Sequence, residues 1–196
     1  MVGNDIVDIS LAKKQRSWQR VGFLGKVFTS DELVMIANAE DTVQMIWTLW
    51  SMKESVYKIL IQQGHQRFFN PLKLKCMVSS SRHGSVTAFS QVFITQTRQM
   101  ADYIFTIACT EEDLMSSRLS DVFLVSTNAS IQSKYTHDRC LYKIAADKDW
   151  DLSLLEIRKT EKGVPKIYYH DNLSLISISL THHGHFGAYT YMDDQN

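Results

Sequence analysis

The sequence predicts an α+β protein made of two similar lobes, and three observations carry this prediction. The predicted elements run strand, helices, strands, and then helix and strands again. Of the 196 residues, 44% are hydrophobic, which is enough for a sizeable core in one domain or two small lobes. No segment rich in proline, glycine or serine separates the halves, so we expect them to pack closely with a site between them. The predicted lobes comprise residues 1–112 and 113–196.

Composition excludes several classes of protein. Lys and Arg number 21, as do Asp and Glu, so no excess of positive charge favours nucleic-acid binding. The scarcity of glycine and proline excludes a collagen-like or disordered chain. Three widely separated cysteines indicate free thiols in a reducing compartment. Because no apolar run is long enough for a membrane helix and no signal segment follows Met1, we expect a soluble, cytoplasmic protein.

The first predicted lobe begins with a strand and a basic segment. Residues 2–9 form a short strand, since Val2, Ile6 and Val7 favour β structure. The basic segment that follows predicts either a solvated helix face or a docking surface for an acidic partner. Its cations are Lys13, Lys14, Arg16, Arg20 and Lys26.

Capping residues and apolar spacing predict two helices in this lobe. Thr29 and Glu32 have the spacing of a capping box, so we expect a helix from here to about Ala39. A longer helix is predicted over residues 42–63, and its apolar positions form a broad face that is expected to be buried.

Strands dominate the rest of the chain, around one further helix. Those of the first lobe are predicted at 72–79, 84–97 and 101–110, with a turn at His83 and Gly84. Residues 113–128 are ambiguous, and a helix is predicted from about Gln132 to about Asp147. The strands of the second lobe are predicted at 153–159, 164–170, 175–181 and 186–192.

The densest candidate for a functional site is the segment 50–58, WSMKESVYK, on the longer helix. Glu54 and Lys58 are four residues apart, so they share one face of that helix. A surface ion pair would explain this spacing. The otherwise apolar surroundings also allow a functional pair at the edge of a buried face.

Asp5 and Glu54 are candidate metal ligands. Carboxylate oxygens suit Mg²⁺, which takes one or two protein carboxylates and completes its shell with water and phosphate oxygens. Asp5 could equally be an ordinary aspartate at a turn or an edge.

Two segments of the second lobe are candidates for phosphate or base binding. Thr181 and His182 stand at a predicted strand end, where a hydroxyl and an imidazole suit a phosphate, although a polar turn is the alternative. The neighbouring histidines have no helical His-x-x-x-His spacing and no cysteine partner, so zinc is not indicated. Residues 162–166 form a predicted turn before a strand, and its backbone groups could contact a base.

Taken together, these segments resemble the 4′-phosphopantetheinyl transferases. Residues 3–9, GNDIVDI, resemble the G-x-D-[IV] motif of that family, and residues 27–32, VFTSDE, its F-[ST]-x-x-E segment. Residues 50–58 match its W-[ST]-x-K-E-[AS]-x-x-K motif at every defined position. Residues 163–165, GVP, resemble its G-K-P element with Val164 in place of the lysine, and residues 179–182, SLTH, its S-[LI]-[ST]-H strand end.

The resemblance implies a fold, an activity and a set of residue roles. Members have a fold of two α+β units with the active site between them, and they transfer the phosphopantetheine arm of coenzyme A to a serine of an apo carrier protein. The other product is adenosine 3′,5′-bisphosphate. The resemblance implies Mg²⁺, or Mn²⁺, held by Asp5 and Glu54, with catalytic roles for Glu54, Lys58 and Lys53. The implied binding residues for the nucleotide part are His182, Thr181, Gly163, Val164, Pro165 and Arg139.

One position departs from the larger members of this family. They often carry a third metal ligand, a glutamate, where this chain has Val7, and we expect a water molecule in its place. Asp8 would point to the opposite face of a regular strand and is not expected to be a ligand.

The order of the motifs suggests a circular permutation. Residues 1–110 resemble the second lobe of the larger, monomeric members, and residues 131–192 resemble their first lobe. We therefore expect a permuted two-lobe enzyme that is a monomer, although a trimer like that of the short members is an alternative.

Other functions remain open from the sequence. A catalytically inactive module that binds coenzyme A or a carrier protein is one, although it would not need Asp5, Lys53, Glu54 and Lys58 together. An unrelated Mg²⁺-dependent nucleotide hydrolase is another, although the chain has no glycine-rich phosphate loop. The expected partner is an acidic carrier protein, of fatty-acid, polyketide or peptide synthesis, with no nucleic acid or membrane involved.

Overall fold

Three antiparallel sheets and five α-helices make up the described part of the chain, which is residues 1–15, 17–68, 70–113 and 117–193 of a computed structural model. The α+β class and the arrangement in two lobes are confirmed. None of these helices is both long enough and apolar enough to span a bilayer. The three cysteines are buried free thiols, as expected.

The first lobe is a five-stranded sheet with helices on one face. Its strands lie in the order β1-β5-β4-β3-β2, and the long helix α4 packs across β1 and β5. Its elements are β1 Val2–Asp8, α1 Ile9–Gln15, α2 Phe23–Val27, α3 Ser30–Ala37, α4 Thr42–Gln62, β2 Lys75–Val78, β3 His83–Ala88, β4 Gln91–Gln99 and β5 Tyr103–Thr110.

The second lobe has two three-stranded sheets and one helix, α5. The sheets have the strand orders β10-β11-β6 and β7-β8-β9, and α5 packs against β7, β10 and β11 around a separate apolar core. Its elements are β6 Arg118–Leu124, α5 Ala129–Lys148, β7 Leu155–Lys159, β8 Pro165–Tyr169, β9 Asn172–Leu173, β10 Ile176–His183 and β11 Phe186–Asp193.

The capping signals in the sequence are confirmed. Thr29 Oγ1 accepts a hydrogen bond from Glu32 N, and Glu32 Oε2 accepts one from Thr29 N, which completes the predicted capping box of α3. The side chain of Asp41 accepts from Gln44 N and caps α4. The buried face of α4 includes Leu49, Met52, Val56, Ile59 and Leu60.

Gly3 allows β1 and α4 to approach very closely. A Cβ atom on Gly3 would lie 2.0 Å from the carbonyl oxygen of Ser55, so no larger residue fits between the strand and the helix. The hydroxyl of Ser55 donates to Thr106 O on β5, which fastens the helix to the same region of the sheet. The glycine of the GNDIVDI segment therefore has a packing role, and it brings Asp5 close to α4.

Side chains of β10 join the second lobe to the edge of the first sheet. Ser177 Oγ accepts from Val2 N at 3.1 Å, and Ser179 Oγ accepts from Asn4 N at 2.9 Å. His183 Nδ1 accepts from Asp8 N at 2.9 Å. Since these alternate residues share one face of the strand, β10 satisfies the backbone of β1 without extending its sheet. The lobes therefore meet along β1.

Two predicted details of the strands are wrong. Residues 84–97 do not form one strand, because Phe89 and Ser90 adopt positive φ and make a tight turn between β3 and β4. His83 and Gly84 belong to β3 rather than to a turn. The tight turn contains neither glycine nor asparagine, so the usual hairpin signal is missing from the sequence.

The ambiguous segment 113–128 contains β6, and the second-lobe helix begins at Ala129, near the expected position. The division between residues 112 and 113 stays a prediction. Arg16 of the basic segment lies outside the described residues.

Candidate active site

Asp5 and Lys58 meet where β1, α4 and β10 come together. Lys58 Nζ lies 3.7 Å from Asp5 Oδ1 and donates to the carbonyl oxygens of Asn4 and Leu180, at 2.6 and 3.3 Å. Thr181 Oγ1 donates to Asp5 Oδ1 at 3.2 Å. Both lobes therefore hold this ion pair.

Glu54 lies one helical turn before Lys58 and close enough to Asp5 for their charges to interact. Burial and the negative charge of Asp5 raise the pKa of Glu54 to about 7, although Lys58 opposes this rise. Burial also raises the pKa of Asp5, against the lowering influence of Lys58 and Thr181. Two partly buried carboxylates therefore share a small volume with one ammonium group, and a further cation would relieve their repulsion.

The carboxylate pair fits a hard divalent cation. Mg²⁺ commonly takes one or two protein carboxylates and completes its shell with water and phosphate oxygens. Within the described ranges, no group of three or more His, Cys, Asp or Glu side chains is arranged to hold a metal. The donor set is thus suited to an ion that depends on a bound phosphate for part of its shell, and not to a closed zinc site.

A basic pocket of about 330 Å³ opens beside Lys58, between α4 and the second lobe. It contains four of the predicted binding residues, namely His182, Gly163, Val164 and Pro165, and it also contains cations that sequence reasoning missed. The additional cationic and imidazole side chains are Arg67, His137, Lys159 and Lys162.

Burial and the positive charge of this pocket together lower the pKa values of its two histidines, His182 and His137. Burial, Lys58 and Lys159 lower the pKa of His182, and burial and Lys159 lower the pKa of His137. Thr136 also lines the pocket, but its hydroxyl oxygen is buried and faces Gly187 of β11, 2.9 Å from the position of a Cβ atom on that glycine. Concentrated positive charge favours an anionic ligand in this pocket.

A second, aromatic pocket of about 410 Å³ lies on the other side of Tyr57. Trp50, Tyr57 and Phe68 line it together with Glu54, and the rings of Tyr57 and Phe68 meet edge to face at 5.2 Å. Tyr57 and Arg67 line both pockets. The two pockets and the carboxylate pair therefore follow one another along α4.

Thr181 and His182 do not act on the same side of β10. His182 lines the basic pocket, whereas the hydroxyl of Thr181 is directed to Asp5. Consecutive residues of a strand point to opposite faces, which explains the separation. Thr181 contacts the Asp5 carboxylate, and a phosphate contact of this residue stays a prediction.

Lys53 is held inside the first lobe, and its predicted catalytic role stays a prediction. Its ammonium group lies 2.8 Å from Glu32 Oε2 and donates to the carbonyl oxygens of Pro71 and Leu74, at 2.9 and 2.5 Å. The side chain is only 2% exposed. Because every donor direction is used inside the protein, the surroundings of Lys53 support a structural role and not a contact with phosphates.

Arg139 does not reach the basic pocket either. Its guanidinium group lies 2.8 Å from Asp121 Oδ2 on β6 and stacks on Phe123, with 4.6 Å from Cζ to the ring centroid. Asp121 and Arg139 thus repeat, in the second lobe, the strand-to-helix ion pair that Asp5 and Lys58 form in the first. One helical turn before Arg139 the second lobe has Tyr135, whereas the first lobe has Glu54 one turn before Lys58.

The sequence signals for the missed residues differ in strength. Lys159 and Lys162 precede Gly163 closely and could have been assigned with it. Arg67 lies after the end of α4, and Thr136 and His137 lie on α5, so only the packing of the lobes brings them to the pocket.

Fold and site together define a two-lobed α+β protein with a basic cleft beside a carboxylate pair. The family model described as the 4′-phosphopantetheinyl transferase superfamily matches residues 1–108, and the chain belongs to this superfamily. The matched region includes Asp5, Glu54 and Lys58. None of the curated proteins that were compared matches the chain.

Solved structures that match the chain include three holo-[acyl-carrier-protein] synthases. The Helicobacter pylori protein, described in complex with coenzyme A, is 19% identical, with a TM-score of 0.45, and the match covers 57% of this chain and 100% of that one. The Neisseria meningitidis protein is 14% identical, with a TM-score of 0.47, covering 56% and 96%. The Thermotoga maritima protein is 11% identical, with a TM-score of 0.41, covering 88% and 83%.

Proposed function

We propose that this protein transfers the 4′-phosphopantetheine arm of coenzyme A to a serine of an apo carrier protein and releases adenosine 3′,5′-bisphosphate. The observation that carries the proposal is the alignment of the basic pocket, the carboxylate–lysine group and the aromatic pocket along α4. Coenzyme A has the matching order of parts: a phosphorylated nucleoside, a pyrophosphate and an uncharged arm.

The nucleotide end is proposed to occupy the basic pocket. Lys159 supplies positive charge for a 3′-phosphate, and the imidazole of His182 can donate a hydrogen bond to it. Gly163, Val164 and Pro165 form the wall against which the adenine would lie. Gly163 has a φ of 77°, a left-handed conformation that favours glycine.

The pyrophosphate is proposed to lie at the carboxylate pair. Asp5 and Glu54 would hold Mg²⁺, or Mn²⁺, which would supply positive charge to the phosphate oxygens when bound. Lys58 is positioned to neutralise charge on the leaving phosphate, since its ammonium group already faces Asp5. The aromatic pocket, with Trp50, Tyr57 and Phe68, offers the apolar surface for the pantetheine arm.

Glu54 is the proposed general base. Its carboxylate lies close to Asp5 and Lys58, where the pyrophosphate is proposed to bind, and would accept the proton of the serine hydroxyl, directly or through a water molecule. The serine oxygen then bonds to the phosphorus atom that carries the arm. The bond from that phosphorus to the bridging oxygen breaks, and the bridging oxygen leaves on adenosine 3′,5′-bisphosphate.

The acidic carrier protein is proposed to dock on the basic segment beside β1. Lys13, Lys14, Arg20 and Lys26 are exposed there, and α1 begins directly after β1, which carries Asp5. This arrangement would bring the carrier serine towards the carboxylate pair. Fatty-acid, polyketide and peptide carrier proteins share the acidic character that the proposal requires.

We further propose that one chain forms a complete cleft and acts as a monomer. Residues of both lobes line the basic pocket, and Lys58 of the first lobe bonds to Leu180 of the second. The circular permutation inferred from motif order accounts for the same arrangement. A native mass measurement distinguishes a monomer from a trimer.

The direct experiment is intact-mass spectrometry of apo carrier proteins after incubation with the protein, coenzyme A and Mg²⁺. We expect the mass of one phosphopantetheine arm to be added, and the addition to be lost in Glu54→Gln and on chelation of the metal. Glu40→Gln, at an exposed loop position, is the matched control. Binding of coenzyme A without transfer to any carrier would instead indicate an inactive binding module, and failure to bind it would overturn the proposed function.

A further inference from the structure

Arg67 lines both the basic and the aromatic pocket. It lies in the loop after α4, is exposed, and donates from Nη2 to the carbonyl oxygen of Lys162 at 3.0 Å. No described carboxylate forms an ion pair with its guanidinium group. This strong cation therefore rests on a single neutral acceptor at the boundary of two pockets.

A reciprocal contact holds this part of the loop against the second lobe. Lys162 Nζ donates back to Gly64 O, so each lobe gives one cation to a carbonyl of the other. A Cβ atom on Gly163 would lie 2.6 Å from Arg67 Nη2. The guanidinium group thus occupies space that the missing side chain of Gly163 leaves open.

We propose that Arg67 binds the pyrophosphate of coenzyme A and exchanges the Lys162 carbonyl for phosphate oxygens when the substrate enters. This inference rests on the proposed function, because it assumes a substrate that spans both pockets. Such a substrate must pass Tyr57 and Arg67, the residues the pockets share. The group between the adenosine and the arm is the pyrophosphate, and it therefore passes Arg67.

The exchange is favourable on electrostatic grounds. A guanidinium group bonds more strongly to a phosphate oxygen than to a neutral carbonyl, and its planar fork can engage two oxygens at once. Because Arg67 is exposed, its side chain can turn from the carbonyl to the ligand without displacing a buried group. Arg67 and Lys58 would then hold the pyrophosphate from the two sides of the pocket boundary.

The test compares the binding of coenzyme A and 3′-dephospho-coenzyme A by titration calorimetry. We expect Arg67→Ala to lower the affinity for both ligands by the same factor, at least about tenfold, because both ligands contain the pyrophosphate. Arg67→Gln should bind both ligands as weakly as Arg67→Ala does, since glutamine can still donate to the Lys162 carbonyl but carries no charge. Arg67→Lys should recover part of the loss. Arg98→Ala, an exposed arginine outside both pockets, is the control and should bind like the wild type.

Each other outcome has a definite meaning. A loss seen with coenzyme A but not with the dephospho ligand would assign Arg67 to the 3′-phosphate and overturn the proposal. Normal affinity in Arg67→Gln, or in every Arg67 variant, would limit Arg67 to its contact with Lys162 and also overturn it. A wild-type protein that binds neither ligand would overturn the proposed function, and this inference with it.

Discussion

The hydroxyl of Thr181 lies 3.2 Å from Oδ1 of Asp5 and donates a hydrogen bond across the boundary between the lobes. Asp5 thus receives a cation from its own lobe, Lys58, and a hydroxyl donor from the other. Both contacts favour the charged form of the carboxylate, although burial raises its pKa. The second lobe therefore sets the orientation and charge of a carboxylate that the first lobe carries.

Removing this hydroxyl tests the role of Thr181. We expect Thr181→Val to raise the Mg²⁺ concentration for half-maximal transfer by about tenfold, since partners that orient a metal-binding carboxylate typically have effects of this size. Discrimination between coenzyme A and its dephospho form should not change. Ser177→Ala is the control, because Ser177 also contacts β1 but lies away from Asp5. If Thr181→Val no longer discriminated between coenzyme A and its dephospho form, Thr181 would be assigned to the 3′-phosphate instead.

Stability should fall as the pH rises when no divalent cation is present. Glu54 has a pKa of about 7 in the folded protein and 4.5 as the reference value, so the folded state keeps a proton that the unfolded chain loses first. Its stabilising contribution is full below about pH 4.5 and is lost as the pH rises through about 7. Since glutamine resembles the protonated side chain, Glu54→Gln should exceed the wild type in free energy of unfolding by about 3 kcal/mol above pH 7.

Urea unfolding on both sides of this pH range measures the difference. Wild type and Glu54→Gln should be equally stable at the acidic end, and Glu40→Gln should follow the wild type throughout. Mg²⁺ at the alkaline end should stabilise the wild type and leave Glu54→Gln unchanged. A difference between wild type and Glu54→Gln that does not vary with pH would contradict the raised pKa.

Lys53 and Glu32 should behave as a buried structural pair. Removing one partner of such a pair leaves the other charge uncompensated, so Lys53→Met is expected to cost about 3–5 kcal/mol of unfolding free energy. The double variant Glu32→Gln/Lys53→Met should recover most of this loss. Lys134→Ala, which breaks an exposed pair with Asp138, should leave the free energy of unfolding nearly unchanged.

Coenzyme A binding separates this role from a contact with phosphates. Folded Lys53→Met, measured at low temperature, should bind coenzyme A within about threefold of the wild type, well under the tenfold that one lost phosphate contact would cause. A much larger loss of affinity in the folded variant would indicate that Lys53 contacts coenzyme A.

Local signals predicted the parts of the fold and site that depend on local contacts. The capping box at Thr29 and Glu32, the long helix with Glu54 and Lys58, and the strand with Asp5 all follow from spacing within a few residues. The ion pair of Glu32 with Lys53 does not follow from local spacing, because Lys53 is distant in sequence and meets Glu32 only in the folded core. The motif containing Lys53 therefore pointed to chemistry where the structure has a buried ion pair.

Long-range packing explains the other differences. Arg139 lies on α5 as expected, but its direction depends on β6, whose segment had no clear pattern. Arg67 became recognisable only when Gly163 and Lys162 of the other lobe were placed beside it. The alternation of side chains along β10 could have separated Thr181 from His182 from the sequence alone.

The basic segment provides a test of carrier docking. We expect Lys13→Glu/Lys14→Glu to raise the KM for an acidic carrier protein about tenfold, with little change in kcat or in the KM for coenzyme A, because charges at the edge of an interface act mainly on encounter. Lys73→Glu/Lys75→Glu, which reverses two exposed cations near the start of β2, is the control. An unchanged KM for the carrier in Lys13→Glu/Lys14→Glu would exclude this docking surface.

Gly3 should be the position at which one added methyl group does most harm to the site. The new Cβ atom would lie 2.0 Å from a backbone oxygen of α4, which cannot turn away as a side chain could. Strand β1 would have to move away from the helix, and Asp5 would move with it. We expect Gly3→Ala to lower the unfolding free energy by roughly 3 kcal/mol and to abolish transfer even in the folded fraction.

Gly25→Ala supplies the contrast for this substitution. Nothing lies within 4 Å of the Cβ position at Gly25, which is inside α2, so alanine should raise stability by up to about 1 kcal/mol and leave transfer intact. Urea unfolding and the mass assay on both variants check the pair. If Gly3→Ala were as stable and as active as Gly25→Ala, the close approach of β1 to α4 would not be what positions Asp5 beside Glu54 and Lys58.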